Sequence, residues 1–142
     1  MKASQRLKHY QLPLVLLHTA GLKLALEARW VVGCSRLAAK NQPLNTSGDL
    51  YQLKALLGYG KPAPDEEERL MTLRSQTGAA WQLHFTGSIE LIEATAASLH
   101  PLPPLLASRR LWQAAKALFF YQDQCNLLLD ADQLKAQLDA AS

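Results

Sequence analysis

The groups in this chain that could carry chemistry are few, and their spacing is poor for it. Four histidines stand at 9, 18, 84 and 100, with neither an H-x-x-x-H pair nor a paired-cysteine spacing. A tetrahedral zinc site is therefore not expected. His84, at the end of a strand-like run, reads as a hydrogen-bonded surface or rim residue. Cys34 and Cys125 are the only cysteines. Two lone cysteines in an otherwise ordinary chain read as buried thiols in a reducing cytoplasm, with a disulfide as the alternative. Cys125 leads into the apolar run Leu127 to Leu129, so it reads as core rather than nucleophile. Gly58-Tyr-Gly-Lys61 looks like the end of a phosphate-binding loop. The full motif needs a glycine where Ala55 stands, and Pro62 replaces the hydroxyl residue that would meet the metal. A helix C-cap and linker is the better account. Asp65 to Glu68 form a carboxylate cluster, but after Pro62 and Pro64 they read as a solvated linker. Arg109-Arg110 could contact an acidic partner; a loop or helix surface is the plainer reading. No set of residues supplies both a nucleophile and a base, so the sequence predicts no enzyme, no cofactor and no metal site.

The elements that must position these residues fit one domain. At 142 residues, about half of them hydrophobic, the chain can bury a core. Lys2, Arg6 and Lys8 before the apolar run Leu12 to Leu17 imitate a signal peptide. That run is too short and no clean cleavage site follows. Nothing approaches the ~20 apolar residues of a membrane helix, so the sequence predicts no membrane insertion and a cytoplasmic location. Charge is uneven. Residues 1–61 carry nine Lys/Arg against Glu27 and Asp49, a net of +7, and residues 62–142 carry six against ten acidic residues, a net of −4. A basic half can bind nucleic acid or an acidic protein. A solvated face with scattered lysines is the plainer account. No Lys/Arg run alternates with aromatics, as a single-strand platform would.

Leu12 to Leu17 reads as a buried strand, Ala20-Gly21 as a turn, and Leu22 to Leu26 as a second strand. Trp30, Val31 and Val32 give a short apolar element. Asp49-Leu-Tyr-Gln-Leu-Lys-Ala-Leu-Leu57 and Asp130-Ala-Asp-Gln-Leu-Lys-Ala-Gln-Leu138 share the pattern D-x-x-Q-L-K-A-x-L. Each is a helix-start signal, with an Asp cap and a Gln that can reach back to it. The sequence thus predicts two helices. Leu50, Leu53, Leu56 and Leu57 would line the first, with Gly58 as its C-cap, and Ala131, Leu134 and Leu138 the second. Residues 62–68 read as a linker. Strands follow at 69–74, 80–85 and 89–92, the last with Glu90 and Glu93 outward. Ala114 to Tyr121 and Cys125 to Leu129 form a last hairpin around Gln122-Asp-Gln124. The expected organisation is a mainly β duplicated unit with short helices: a subdomain at about 10–61, the linker, and a subdomain at about 69–142 closed by a helix at 130–140. Trp30, Trp81 and Trp112 read as core. Phe119, Phe120 and Tyr121 are consecutive in a strand, so they cannot share one face. At least one must meet a second apolar surface, either the other half of the protein or a partner.

This order of elements resembles the CheW-like domain of bacterial chemosensory systems. Leu22-Lys-Leu-Ala-Leu26, Val31-Val32 and Gly48-Asp-Leu-Tyr-Gln-Leu-Lys-Ala-Leu-Leu-Gly58 carry the likeness in the first half. Arg69-Leu-Met-Thr-Leu73, Ile89-Glu-Leu-Ile92, Leu102-Pro103 and Leu127-Leu-Leu-Asp-Ala-Asp-Gln-Leu134 carry it in the second. The family usually has an N-L-R-G run and a full strand before its D-L motif; here Asn45-Thr-Ser-Gly48 precedes Asp49 directly. Leu83-His84 stands where the family carries V-D. The resemblance implies two intertwined SH3-like β-barrels. It also implies a non-catalytic adaptor that couples a histidine kinase's regulatory domain to chemoreceptors, with self-association through open barrel rims. Its expected contacts are Val31, Val32, Gly48, Asp49, Phe119, Phe120 and Tyr121. The reading from a different class is a small basic β-barrel that binds nucleic acid.

Overall fold

The computed structural model describes residues 11–19, 21–36, 49–53, 67–102 and 113–141. Gly48, the Gly58–Lys61 run, Arg109-Arg110 and Trp112 lie outside these residues. Ten strands and one helix follow in chain order: β1 (Gln11–Thr19), β2 (Leu22–Glu27), β3 (Val31–Arg36), β4 (Asp49–Gln52), β5 (Glu68–Arg74), β6 (Ala80–Thr86), β7 (Ser88–Thr95), β8 (Leu99–Pro101), β9 (Ala115–Tyr121), β10 (Gln124–Leu129) and α1 (Ala131–Ala141). Short 3-10 turns at Ala28–Trp30 and Ala96–Ser98 precede β3 and β8. The strands form a six-stranded sheet, β7-β1-β2-β10-β9-β8, and a four-stranded sheet, β3-β5-β6-β4. Each sheet draws strands from both sides of residues 62–68.

Hydrophobic patterning explains where the strands lie. Leu14 to Leu17 are buried consecutively, not alternately, because β1 is covered on both faces. Val15, Leu17, Leu24 and Leu26 join Met71, Leu73, Trp81 and Leu83 in a core shared by the two sheets and α1. Leu14, Leu16, Ala25, Ile92, Phe119 and Leu128 form a second core on the other face of the six-stranded sheet. The five residues from Trp81 to Phe85 alternate strictly, with Trp81, Leu83 and Phe85 buried.

The two copies of the repeated pattern differ where they open, the first being described over residues 49–53. The Asp130 copy opens α1 as expected: the carboxylate Oδ1 of Asp130 accepts the Gln133 N–H at 3.0 Å, and Ala131, Leu134 and Leu138 are buried. The N–H of Asp130 itself donates to Ala114 O at 2.7 Å, so Gln133 is not needed to close the cap. The Asp49 copy does not open a helix. Asp49–Gln52 is a strand paired in parallel with Trp81 to His84, and Leu53 N–H continues the ladder to His84 O at 2.9 Å. Tyr51 and Leu53 are buried and Gln52 is exposed, a period of two rather than 3.6. The edge of β6 supplies hydrogen-bond partners that an isolated helix turn lacks, and tertiary pairing overrides the local signal. Tyr51 stands edge-on to Trp81, with centroids 5.9 Å apart. Its hydroxyl donates to Asp139 Oδ1 at 2.8 Å, which ties α1 to β4. That hydrogen bond, with burial and the carboxylate charges, pushes the Tyr51 pKa up to about 12.

Three further expectations are corrected. Glu90 does not face outward with Glu93, because residues three apart in a strand lie on opposite faces. Glu93 is exposed, whereas Glu90 is half-buried and bonded by His18 and Tyr121. Leu91 takes the outward place and is 77% exposed. Neither cysteine is fully buried: both are free thiols, Cys34 half-buried and Cys125 exposed. Cys125 pairs with the outward residue Phe120 beside the β9–β10 turn, away from both cores. Burial pushes the Cys34 thiol above its ordinary value, with Arg69 acting in the opposite sense. Glu68, placed in the linker by sequence, opens β5.

The β9–β10 hairpin turns through Gln122 and Asp123, at φ 52° and 61°. Both are left-handed, as a two-residue turn of the I′ type requires; Gln122 disfavours it, and Asp123 tolerates it less well than glycine would. The double substitution Gln122→Asn and Asp123→Gly is expected to stabilise the fold by about 1 kcal/mol. A urea midpoint that rises at unchanged slope would show this. An unmoved midpoint would mean that the turn carries no strain.

Candidate protein-docking surface

The sequence-predicted contact residues do not converge. Val31 and Val32 lie on β3, one edge of the four-stranded sheet, and Asp49 on β4, its opposite edge. Phe119, Phe120 and Tyr121 lie on β9 of the other sheet. Their side chains also differ in what they can offer. The register between β3 and β5 slips between Val31 and Gly33, so Val32 is the extra residue of a β-bulge. Val31 packs against the shared core, and Val32 is 65% exposed. Asp49 is exposed, with Oδ2 at 3.7 Å from Lys135 Nζ. Phe119 is completely buried among Leu14, Leu16 and Leu128 and offers a partner nothing. Phe120 points the other way and is 55% exposed. It meets the His100 ring edge-on, at 5.5 Å between centroids. Tyr121 is half-buried, and its hydroxyl donates to Glu90 Oε1 at 3.3 Å. Burial and the Glu90 charge raise its pKa. The exposed apolar elements are thus Val32 and the Phe120–His100 pair, on different sheets. Leu22 and Leu91 are exposed as well, and the sequence reading missed both as surface residues. For Leu91 the signal was there: strict alternation from the buried Ile92 puts it outward.

A buried carboxylate fixes the approach to β3 relative to β9. Glu27, at the end of β2, is 7% exposed. Its Oε2 accepts from Lys116 Nζ at 2.9 Å, Trp30 Nε1 at 3.3 Å and Arg29 at 3.4 Å. The Arg29 guanidinium also lies 4.6 Å from the Trp30 ring centroid. Three donors thus meet one carboxylate where β2, the turn into β3 and β9 come together. Burial pushes the Glu27 carboxyl up; Lys116, through its hydrogen bond and charge, then Arg29 and Trp30, more than reverse this, and the pKa falls below 4.5. A carboxylate held below its unfolded value stabilises the fold above the unfolded pKa. That contribution is lost as pH falls through the folded value. Lys116→Met leaves Glu27 buried with weaker partners. Because Lys116 is 36% exposed, the expected cost at neutral pH is a screened one of about 1–2 kcal/mol. The same variant should lose less stability than the unmodified protein between pH 5 and acid. Parallel pH profiles for the two proteins would refute the assignment.

Among the described residues no three His, Cys, Asp or Glu side chains gather as a metal site would require. No helix among them is long and apolar enough to cross a membrane.

No protein-family model matches the sequence, and no curated protein sequence does. A solved structure does match: the scaffolding protein CheW of Thermoanaerobacter tengcongensis, at a TM-score of 0.66 and 16% sequence identity. The match covers 84% of this chain and 89% of that one. The fold is CheW-like. It is mainly β, with two SH3-like subdomains, as the sequence resemblance implied. The likeness resides in the path of the backbone, since five in six aligned residues differ. Strands from the two halves of the chain are exchanged between the sheets. β1 and β2 pair with β7 and β10, while β3 and β4 pair with β5 and β6.

Proposed function

We propose that this protein is a non-catalytic adaptor of a bacterial chemosensory system. It docks the regulatory domain of a histidine kinase, chemoreceptor-type proteins, or both, in the cytoplasm. The observation that carries the reading is the CheW-like fold along most of the chain, shared with a protein described as a scaffold. The described surface supports it. Among the described residues it exposes large apolar side chains on strands, Val32 and Phe120 of the expected contacts together with Leu22 and Leu91. Short strand rims allow self-association by the same chemistry.

The test is direct binding of the purified chain to the kinase regulatory domain and the chemoreceptor tips encoded in its source genome. The complex should persist at high salt, because an apolar contact is weakly screened. It should weaken with Phe120→Asp or Val32→Asp while the fold survives. Binding to nucleic acid that falls steeply with salt, and no binding to either protein, would replace the adaptor reading with the basic-barrel one.

A further inference from the structure

The corner where the two sheets meet holds an open cleft of about 480 Å³. His18, Lys23 and Leu22 enter it from the β1–β2 turn, Arg36 from the end of β3, and Glu67 and Arg69 from the start of β5. Its lining carries three permanent cations, Lys23, Arg36 and Arg69, against one carboxylate, Glu67. Among the described residues of the lining the permanent charges leave an excess of two positive. We propose that this cleft binds an acidic peptide segment of a protein partner, with an apolar side chain seated on Leu22. The site is separate from Val32 and Phe120 and stands whether or not the adaptor reading holds.

The cations of the cleft are used unequally. Arg69 is 17% exposed and already committed: its Nε donates to Gly87 O at 2.8 Å, and an Nη to Glu67 Oε2 at 3.2 Å. It braces the corner. Arg36 is 68% exposed and meets the same Glu67 oxygen at 2.8 Å through Nε alone. Among the described residues, its two terminal nitrogens are left without an acidic partner. Lys23 reaches only the neutral side-chain oxygen of Gln124. The two available charges therefore come from different sheets, Lys23 from β2 and Arg36 from β3, and Leu22, 45% exposed, joins them in the lining. A single phosphate needs convergent donors, and the Arg69 guanidinium is already spent on Gly87 and Glu67. An extended chain with spaced carboxylates can meet Lys23 and Arg36 separately, and an apolar residue of it can cover Leu22. The cleft is lined by no Phe, Tyr or Trp on which a base could stack. Charge complementarity here raises association rate and specificity, so binding must weaken with salt.

The test uses the full chain and a fluorescein-labelled Glu-Glu-Leu-Glu-Glu peptide, read by fluorescence anisotropy at low salt. The double variant Lys23→Gln/Arg36→Gln is expected to weaken binding roughly tenfold. Arg74→Gln/Lys135→Gln, with the same loss of charge elsewhere, should change it less than about twofold. Glu67→Gln should tighten it several-fold, because it removes the competing carboxylate and frees Arg36. A merely structural Glu67 would give loss instead. Amide shifts on titration should concentrate at His18, Gly21 and Ser88. Equal losses in the two double variants, equal displacement by inorganic phosphate, tighter binding of a single-stranded oligonucleotide, or no peptide binding at millimolar concentration would each overturn the proposal.

Discussion

Gly87→Ala is expected to destabilise the protein by about 3–5 kcal/mol, a large share of the ~5–15 kcal/mol that holds a domain of this size together. Gly87 sits between β6 and β7, where the chain leaves one sheet for the other. Its φ is +146°, a conformation that side chains with a Cβ rarely adopt. A Cβ there would stand 1.9 Å from the backbone oxygen of His18, 3.0 Å from its carbonyl carbon and 3.2 Å from Thr19 Cα. The atoms met are backbone, so no rotamer change relieves the clash. Nor can Gly87 move freely. Its N–H donates to Glu67 O at 2.8 Å, and its own carbonyl accepts from Arg69 Nε at 2.8 Å. On the neighbouring peptide, Thr19 Oγ1 donates to Thr86 O at 2.7 Å. Relief would require β1 and β7 to separate where His18 pairs with Ser88. Thr19→Val is the control. It removes one hydrogen bond from the same corner and should cost only ~1 kcal/mol. Urea unfolding of both variants checks the ranking. A Gly87→Ala protein as stable as Thr19→Val would show that the corner yields, and that the close approach is not a constraint.

Gly87 also shows where sequence reasoning stopped. In Thr86-Gly87-Ser88 nothing distinguishes a glycine forced by a neighbouring carbonyl from an ordinary turn glycine, because the neighbour is 69 positions away in the chain. Long-range partners account for the other misses too. Lys116 meets Glu27 across 89 residues, so a buried, paired carboxylate looked like any strand-end Glu. The Asp49 segment carries the same start signal as α1, and only the edge of β6 decides that it extends. The bulge at Val32 arises from a register slip against β5, which no local pattern encodes. What was legible was periodicity and punctuation: the strands from Leu12, Leu22, Arg69 and Ala80, the hairpin around Gln122, and the capped helix at Asp130. The aromatic triplet was legible as well. Alternation required that Phe119, Phe120 and Tyr121 split between faces, and they do.

That split yields the second large effect. Phe119→Ala should cost about 3–5 kcal/mol, because the ring is fully buried and its removal leaves a cavity beside Leu14, Leu16 and Leu128. Phe120→Ala, one residue on, should cost less than about 1 kcal/mol. Phe120 is 55% exposed and gives up little more than its edge contact with His100. Partner binding should reverse the ranking. An exposed aromatic on a rigid strand is the kind of residue that dominates a docking energy, and its truncation there costs ~2 kcal/mol or more. Under the proposed adaptor function, Phe120→Ala should therefore lower affinity for the kinase regulatory domain by more than tenfold at unchanged melting temperature. Phe119→Ala should reduce only the fraction of folded protein, with the folded molecules binding as before. Calorimetric unfolding and binding measured on the same two preparations separate the cases. Equal destabilisation by both variants would mean that the register of β9 is misplaced. A stable Phe120→Ala protein with undiminished binding would move the docking surface away from this strand and leave Val32 as the remaining exposed residue among the expected apolar contacts.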